Sequence, residues 1–143
     1  MNFKRQILLG LIVTALVAPV GVFARQQKPD NITKIETQKI TVDELKSMLA
    51  LKERVTIIDV RGHDYDSSDS RIKGAIRIDP ADLESHLAGL PRDSKIVTYC
   101  SCPTDGGAVS AARVLELNGF KDVRALKGGW NSWVRAGGPT ESK

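Results

Sequence analysis

Between Arg54 and Arg61 the chain reads Val55-Thr56-Ile57-Ile58-Asp59-Val60, a near-continuous apolar run with no polar alternation. A strand with one wet face alternates, whereas a strand without alternation is buried on both faces. That segment alone restricts the chain to a sheet covered above and below. The covers are legible too. Thr41-Val42-Asp43-Glu44 is a capping box, with Val42, Leu45, Met48 and Leu49 forming the apolar face of the helix that follows. Ala75 to Ile78 reads as a shorter strand after the polar stretch from Gly62 to Ser70. Asp82 to Ala88 reads as a short helix with Leu83, Leu87 and then Leu90 on one side. Ile96 to Tyr99 is a strand of β-branched and aromatic residues. Ala108, Ala111, Ala112 and Leu115 repeat at helical spacing, and that helix stops at Gly119. Val123 to Leu126 makes a further strand, and Trp130 to Arg135 a last helical turn or two. Strands separated by helical segments imply βαβ units, an α/β fold and a mainly parallel sheet.

The first residues read as a targeting segment rather than as fold. Lys4 and Arg5 form a basic start, Ile7 to Val17 an apolar core, and Val22-Phe23-Ala24 ends on a small residue. From Ile7 to Phe23 the stretch sits at the short edge of the ~17–25 residues a bilayer span needs. A cleaved export signal over residues 1–24 is therefore favoured over a retained membrane anchor, and the expected location is periplasmic or secreted. Residues 25–34 are polar, contain Pro29 and read as a flexible leader. The chain has 143 residues, so what remains suffices for one domain, placed at 35–137, with 138–143 as a C-terminal tail. Lys4 and Arg5 account for two of the +4 net charges. No Lys/Arg run interleaves with aromatics, so nucleic acid is not an expected partner.

The chemistry concentrates in Tyr99-Cys100-Ser101-Cys102-Pro103-Thr104-Asp105-Gly106-Gly107, which holds both cysteines of the chain. A loop from strand end to helix start offers unpaired N–H groups and the positive end of a helix dipole, an environment that favours thiolate. In parallel sheets ligands bind beyond the carboxyl ends of the strands. The cysteine loop and Asp59-Val60-Arg61 both lie at such ends. The N–H groups are expected to hold the Cys100 thiol below the ~8.5 of a free cysteine. Asp105, read as a solvated carboxylate, opposes them. Two cysteines in an exported chain ordinarily suggest a structural disulfide. A Cys-X-Cys bridge restrains almost no chain, however, so such a bridge would act as a redox element rather than a staple.

Asp59-Val60-Arg61, Arg71-Ile72-Lys73-Gly74-Ala75-Ile76, the cysteine loop after Val97-Thr98-Tyr99, Gly119-Phe120, and Leu126-Lys127-Gly128-Gly129-Trp130 with Trp133 occur in an order that resembles the rhodanese domain. The resemblance runs from about Ile35 to Gly137. It implies a five-stranded parallel sheet with helices on both faces. It also implies a catalytic cysteine that accepts sulfane sulfur as a persulfide and passes it to a thiophilic acceptor. A loop built of Ser101, Thr104, Asp105, Gly106 and Gly107 would bind substrate, and the two glycines would let the backbone turn its amides inward. The chain departs from the family in having no Lys or Arg between Cys100 and Ala112, and its loop is longer by two residues. Counting forward from Pro91 or from Asp59 places Cys100 at the family's nucleophile position, whereas counting back from Gly119-Phe120 places Cys102 there. Cys100, directly after the strand, is favoured, with Cys102 as sulfur-accepting partner or resolving thiol.

The missing loop cation argues against a phosphatase or arsenate reductase, whose dianions need a bidentate cation. It also makes thiosulfate a doubtful donor and favours a persulfide or polysulfide. Asp59 and Arg61 are read as a bracing pair, His63 and His86 as surface residues, and Trp130 and Trp133 as packing residues. No metal and no cofactor are expected. The expected partners are a small sulfur donor and a thiol acceptor for a monomeric protein. Two other readings stand beside sulfur transfer. One is thiol–disulfide exchange on Cys100 and Cys102. The other is a non-catalytic binding module whose loop recognises a protein partner or a small anion.

Overall fold

The double-sided burial expected for Val55–Val60 is met by a five-stranded parallel sheet in the computed structural model, which describes residues 36–143. The expected export signal and leader, 1–24 and 25–34, lie outside the described residues. In chain order the elements are β1 (Gln38–Ile40), α1 (Val42–Ala50), β2 (Val55–Asp59), β3 (Ser70–Ile72), β4 (Ile76–Arg77), α2 (Leu83–His86), β5 (Lys95–Tyr99), α3 (Gly106–Leu117), β6 (Val123–Leu126), α4 (Gly129–Arg135) and β7 (Thr140–Ser142). The main sheet has the order β1-β6-β5-β2-β4.

Successive residues of the central strands point to opposite faces, and each face has its own core. Ile58, Ile96 and Ala125 pack with Ala108, Ala111, Ala112 and Leu115 of α3. Ile57, Val97, Tyr99 and Leu126 pack with Leu45 and Met48 of α1 and Trp133 of α4. The alanine face of α3 removes bulk between helix and sheet. It thereby brings the helix's first turn close to the end of β5. The capping box is formed: the Glu44 amide donates to the Thr41 hydroxyl at 3.2 Å and the Thr41 amide to the Glu44 carboxylate at 2.8 Å. Gly119 ends α3 with φ +88°.

From β2 the chain moves outward to β4, then returns to place β5 on the other side of β2. The carboxyl ends of β2 and β5 therefore flank the point where strand order reverses, the place where open α/β sheets bind ligands.

Several boundaries differ from the sequence expectation. The helix expected over Asp82–Ala88 is a single α turn, Leu83–His86, between two 3₁₀ turns. The Ser85 hydroxyl and His86 Nδ1 both bond back to the Asp82 carbonyl, competing with helix continuation. Helix α3 begins at Gly106 rather than Ala108, so Gly106 and Gly107 are helical and carry no positive φ. The left-handed residue is Asp105, with φ 59°. The residues read as a C-terminal tail fold back: β7 pairs antiparallel with β3 in a second, two-stranded sheet. An Arg71–Glu141 ion pair at 3.0 Å and the Lys73 amide bonded to the Pro139 carbonyl at 3.1 Å hold it. His63 and His86 are exposed, as read. No helix among the described residues is long and apolar enough to cross a membrane.

Candidate active site

Tyr99, the last residue of β5, sits beside Asp59 in the parallel register. Its hydroxyl donates to Asp59 Oδ2 at 2.6 Å and accepts from the Ile72 amide at 3.2 Å. Burial, and after it the hydrogen bond to Asp59, pushes the Tyr99 hydroxyl far above its ordinary pKa. Arg61 grips the same carboxylate with Nε to Oδ1 at 3.0 Å and Nη2 to Oδ2 at 2.7 Å. Both members of this pair are fully buried. The guanidinium carbon lies 4.4 Å from the Trp130 ring centroid, 5.2 Å from Tyr65 and 5.6 Å from Tyr99. Asp59 and Arg61 thus form a fully buried ion pair, with Trp130 stacked against the cation. Trp133 is wholly buried core.

Cys100 follows directly on β5 and is 3% exposed. Its carbonyl accepts the Trp130 amide at 2.8 Å. A Cβ at Gly129 would collide with that same carbonyl oxygen, and Gly129 has φ +49°, so the turn after β6 can press on Cys100 only because residue 129 is glycine. Two residues on, Cys102 is half-buried. The two sulfurs are joined in a disulfide, with Cα atoms 5.6 Å apart. Both lie under the first turn of α3. The Gly107 amide donates to Cys102 Sγ at 3.3 Å, and a Cβ on Gly107 would stand 3.6 Å from each sulfur. An N-cap side chain ordinarily accepts from the second or third helical amide. Here Asp105 holds the N-cap position without a side-chain cap bond, and a cysteine sulfur takes the amide instead.

Asp105 overturns its expected role. Its carboxylate is not solvated; the residue is 5% exposed. One oxygen accepts the Gly128 amide at 2.9 Å and the other the Lys39 ammonium at 3.0 Å. Lys39 lies on β1, 66 residues away in sequence. The carboxylate is therefore a tie between β1, the cysteine loop and the β6–α4 turn, with its charge balanced, and no longer a free negative charge opposing a thiolate. Ser101 bridges the two flanking loops: its hydroxyl donates to Asp64 at 2.8 Å and its carbonyl accepts from Asn131 at 3.3 Å. Thr104 and Gly106 line a separate groove with Lys39, Val109 and Arg113. The structure thus gathers Cys100, Cys102 and Gly107 at one point and sends Ser101, Thr104 and Asp105 elsewhere.

Lys39, Asp64, Gly128, Gly129 and Asn131 complete the loop's surroundings, and only the Gly128-Gly129 pair was conspicuous in the sequence. The others are ordinary polar residues whose partners are set by the fold.

A parallel sheet whose switch point carries a cysteine loop under a helix N-terminus defines an α/β protein with both its cysteines at the ligand-binding end of the sheet. Residues 41–136 match the rhodanese-like domain family, and the chain belongs to it. The helix-turn-helix-type transcriptional regulator Rv0324 of Mycobacterium tuberculosis is 37% identical over 87 residues, 61% of this chain. That match spans 38% of the regulator's length. The crystal structure of the Alr3790 protein of an Anabaena species superimposes with a TM-score of 0.64 at 32% identity, over 73% of this chain and 82% of that one. A rhodanese-related protein from Thermoplasma volcanium has the same fold at 23% identity and a TM-score of 0.63, over 74% of this chain and 99% of that one.

Proposed function

We propose that the chain is an exported sulfur-handling protein that carries sulfane sulfur as a persulfide on the Cys100–Cys102 pair and passes it to a thiophilic acceptor. The observation that supports it most is the placement of both sulfurs beside Gly107 at the start of α3, whose amide donates to Cys102 Sγ at 3.3 Å. Helix N-terminal amides stabilise a sulfur anion, whether thiolate or persulfide. The preferred donor is a persulfide or polysulfide rather than thiosulfate. The loop segment 100–112 contains no Lys or Arg, and Lys39, the cation that reaches this region from β1, is engaged by Asp105. A dianionic donor has no free bidentate partner there.

The test uses reduced protein with cyanide as acceptor and compares thiosulfate with glutathione persulfide as donor. Thiocyanate should form faster with the persulfide and fall to background in Cys100→Ser/Cys102→Ser. Fast turnover on thiosulfate that survives both single Cys→Ser changes would sink the reading. The disulfide itself favours a second reading, thiol–disulfide exchange. It predicts that an added dithiol is oxidised by the protein with no sulfur donor present.

A further inference from the structure

We propose that the two cysteines have unequal roles: Cys102 takes the sulfane sulfur, and Cys100 then expels it as sulfide, leaving the disulfide seen in the structure. The inference rests on the sulfur-handling reading and adds to it a reaction, persulfide reduction, with an order of events.

The asymmetry is in the surroundings of the two residues. Cys100 is 3% exposed, and its carbonyl is pinned by the Trp130 amide at 2.8 Å. Gly129 packs so closely on that carbonyl that no Cβ fits. Cys102 lies beyond Ser101 on the loop, half-exposed, and its sulfur is the one that accepts the Gly107 amide. A small donor reaches Cys102 first, and the helix amide supports negative charge there. Cys100 is out of a donor's reach but not out of Cys102's. Its Cα is 5.6 Å from that of Cys102, and the sulfurs are bonded.

The chemistry balances. The Cys102 thiolate attacks the outer sulfur of a small persulfide R–S–SH; a new S–S bond forms, the donor's S–S bond breaks, and R–S⁻ leaves. Cys102 then carries –S–SH. The Cys100 thiolate attacks Cys102 Sγ, the bond between the two persulfide sulfurs breaks, and its electron pair leaves with the outer sulfur as HS⁻. The sulfane sulfur has gained two electrons, and the two cysteine sulfurs have supplied one each by becoming a disulfide. The Cys100 proton goes to solvent. A further turnover needs a dithiol reductant, which reopens the bridge by exchange at the half-buried Cys102 sulfur. The step therefore consumes a persulfide and a dithiol and yields sulfide, where simple transfer would pass the sulfur on intact.

The full chain, reduced and freed of reductant, is mixed with one equivalent of glutathione persulfide and no acceptor. Sulfide release is followed alongside intact mass under non-reducing conditions. Wild type should release sulfide stoichiometrically and lose the mass of two hydrogens. Cys100→Ser should instead gain one sulfur and hold it, releasing sulfide only when an external thiol is added. Cys102→Ser should gain none. Wild type that gains and keeps a sulfur, releasing sulfide only to an external thiol, overturns this inference while leaving sulfur transfer standing. A sulfur found on Cys102→Ser and absent from Cys100→Ser overturns the assignment of roles. If neither wild type nor either variant takes up sulfur and no sulfide appears, sulfur handling itself fails.

Discussion

Asp59 and Asp105 are the same residue type, both buried near the carboxyl ends of the sheet strands, both paired with a cation, and yet they are held in opposite ways. Asp59 is closed off. Its cation is two residues away and fully buried, its grip is bidentate, and the Tyr99 hydroxyl takes a further lone pair. Asp105 is open. Its cation comes from β1 with a side chain 42% exposed, and its other bond is to a backbone amide of a distant turn. A buried carboxylate whose cation is also out of water becomes costly to disturb, because removing either partner strands an uncompensated charge. One whose cation remains wet loses far less. The molecule therefore sets the thiol loop between a rigid brace and an adjustable tie.

The largest effect that would break this contrast belongs to the brace. Arg61→Ala should cost about 3–5 kcal/mol by leaving Asp59 buried without its cation, read by urea unfolding. A loss under ~1 kcal/mol would show that the pair resembles an exposed one.

Tyr99→Phe comes next. It leaves the Ile72 amide without its acceptor and takes a donor from Asp59, a cost of about 1–3 kcal/mol. The same change should alter the alkaline limb. The Tyr99 hydroxyl has a folded pKa above its unfolded ~10, so above that pH the folded state keeps a proton that the unfolded state releases. That contribution is fully present below ~10 and is lost as pH rises toward the folded value. In the Phe variant stability should fall less steeply over that range; an unchanged slope in thermal melts would mean that Tyr99 ionises freely in the folded protein.

Lys39→Met should be smallest, about 1 kcal/mol or less, and should shrink further at high salt because the ammonium is partly in water. Paired melts at low and high salt measure this. A cost equal to that of Arg61→Ala would erase the distinction between brace and tie.

What could be read in advance followed from range. Val55–Val60, the Thr41–Glu44 box and the Gly119 stop are decided within a few residues, and each was legible. The Asp59–Arg61 brace spans three positions and was legible as a pair. Asp105 was misread because Lys39 and Gly128 are its neighbours only through the sheet; nothing local separates a solvated carboxylate from a buried, charge-matched one. The start of α3 was placed late because glycines are poor helix formers. A Cβ at Gly107 would stand in ordinary van der Waals contact with both sulfurs. Strands β3 and β7 carry too few residues for any alternation to register, and they pair across the chain, with Arg71 opposite Glu141, 70 residues on.

That long-range pairing also reaches the brace. Ser70 offers its carbonyl to Arg61 Nη2 at 3.0 Å, and it lies in the strand that pairs with β7. In that two-stranded sheet β7 is the partner of β3, so whatever frays residues 140–142 also loosens the strand from which the buried guanidinium draws an acceptor.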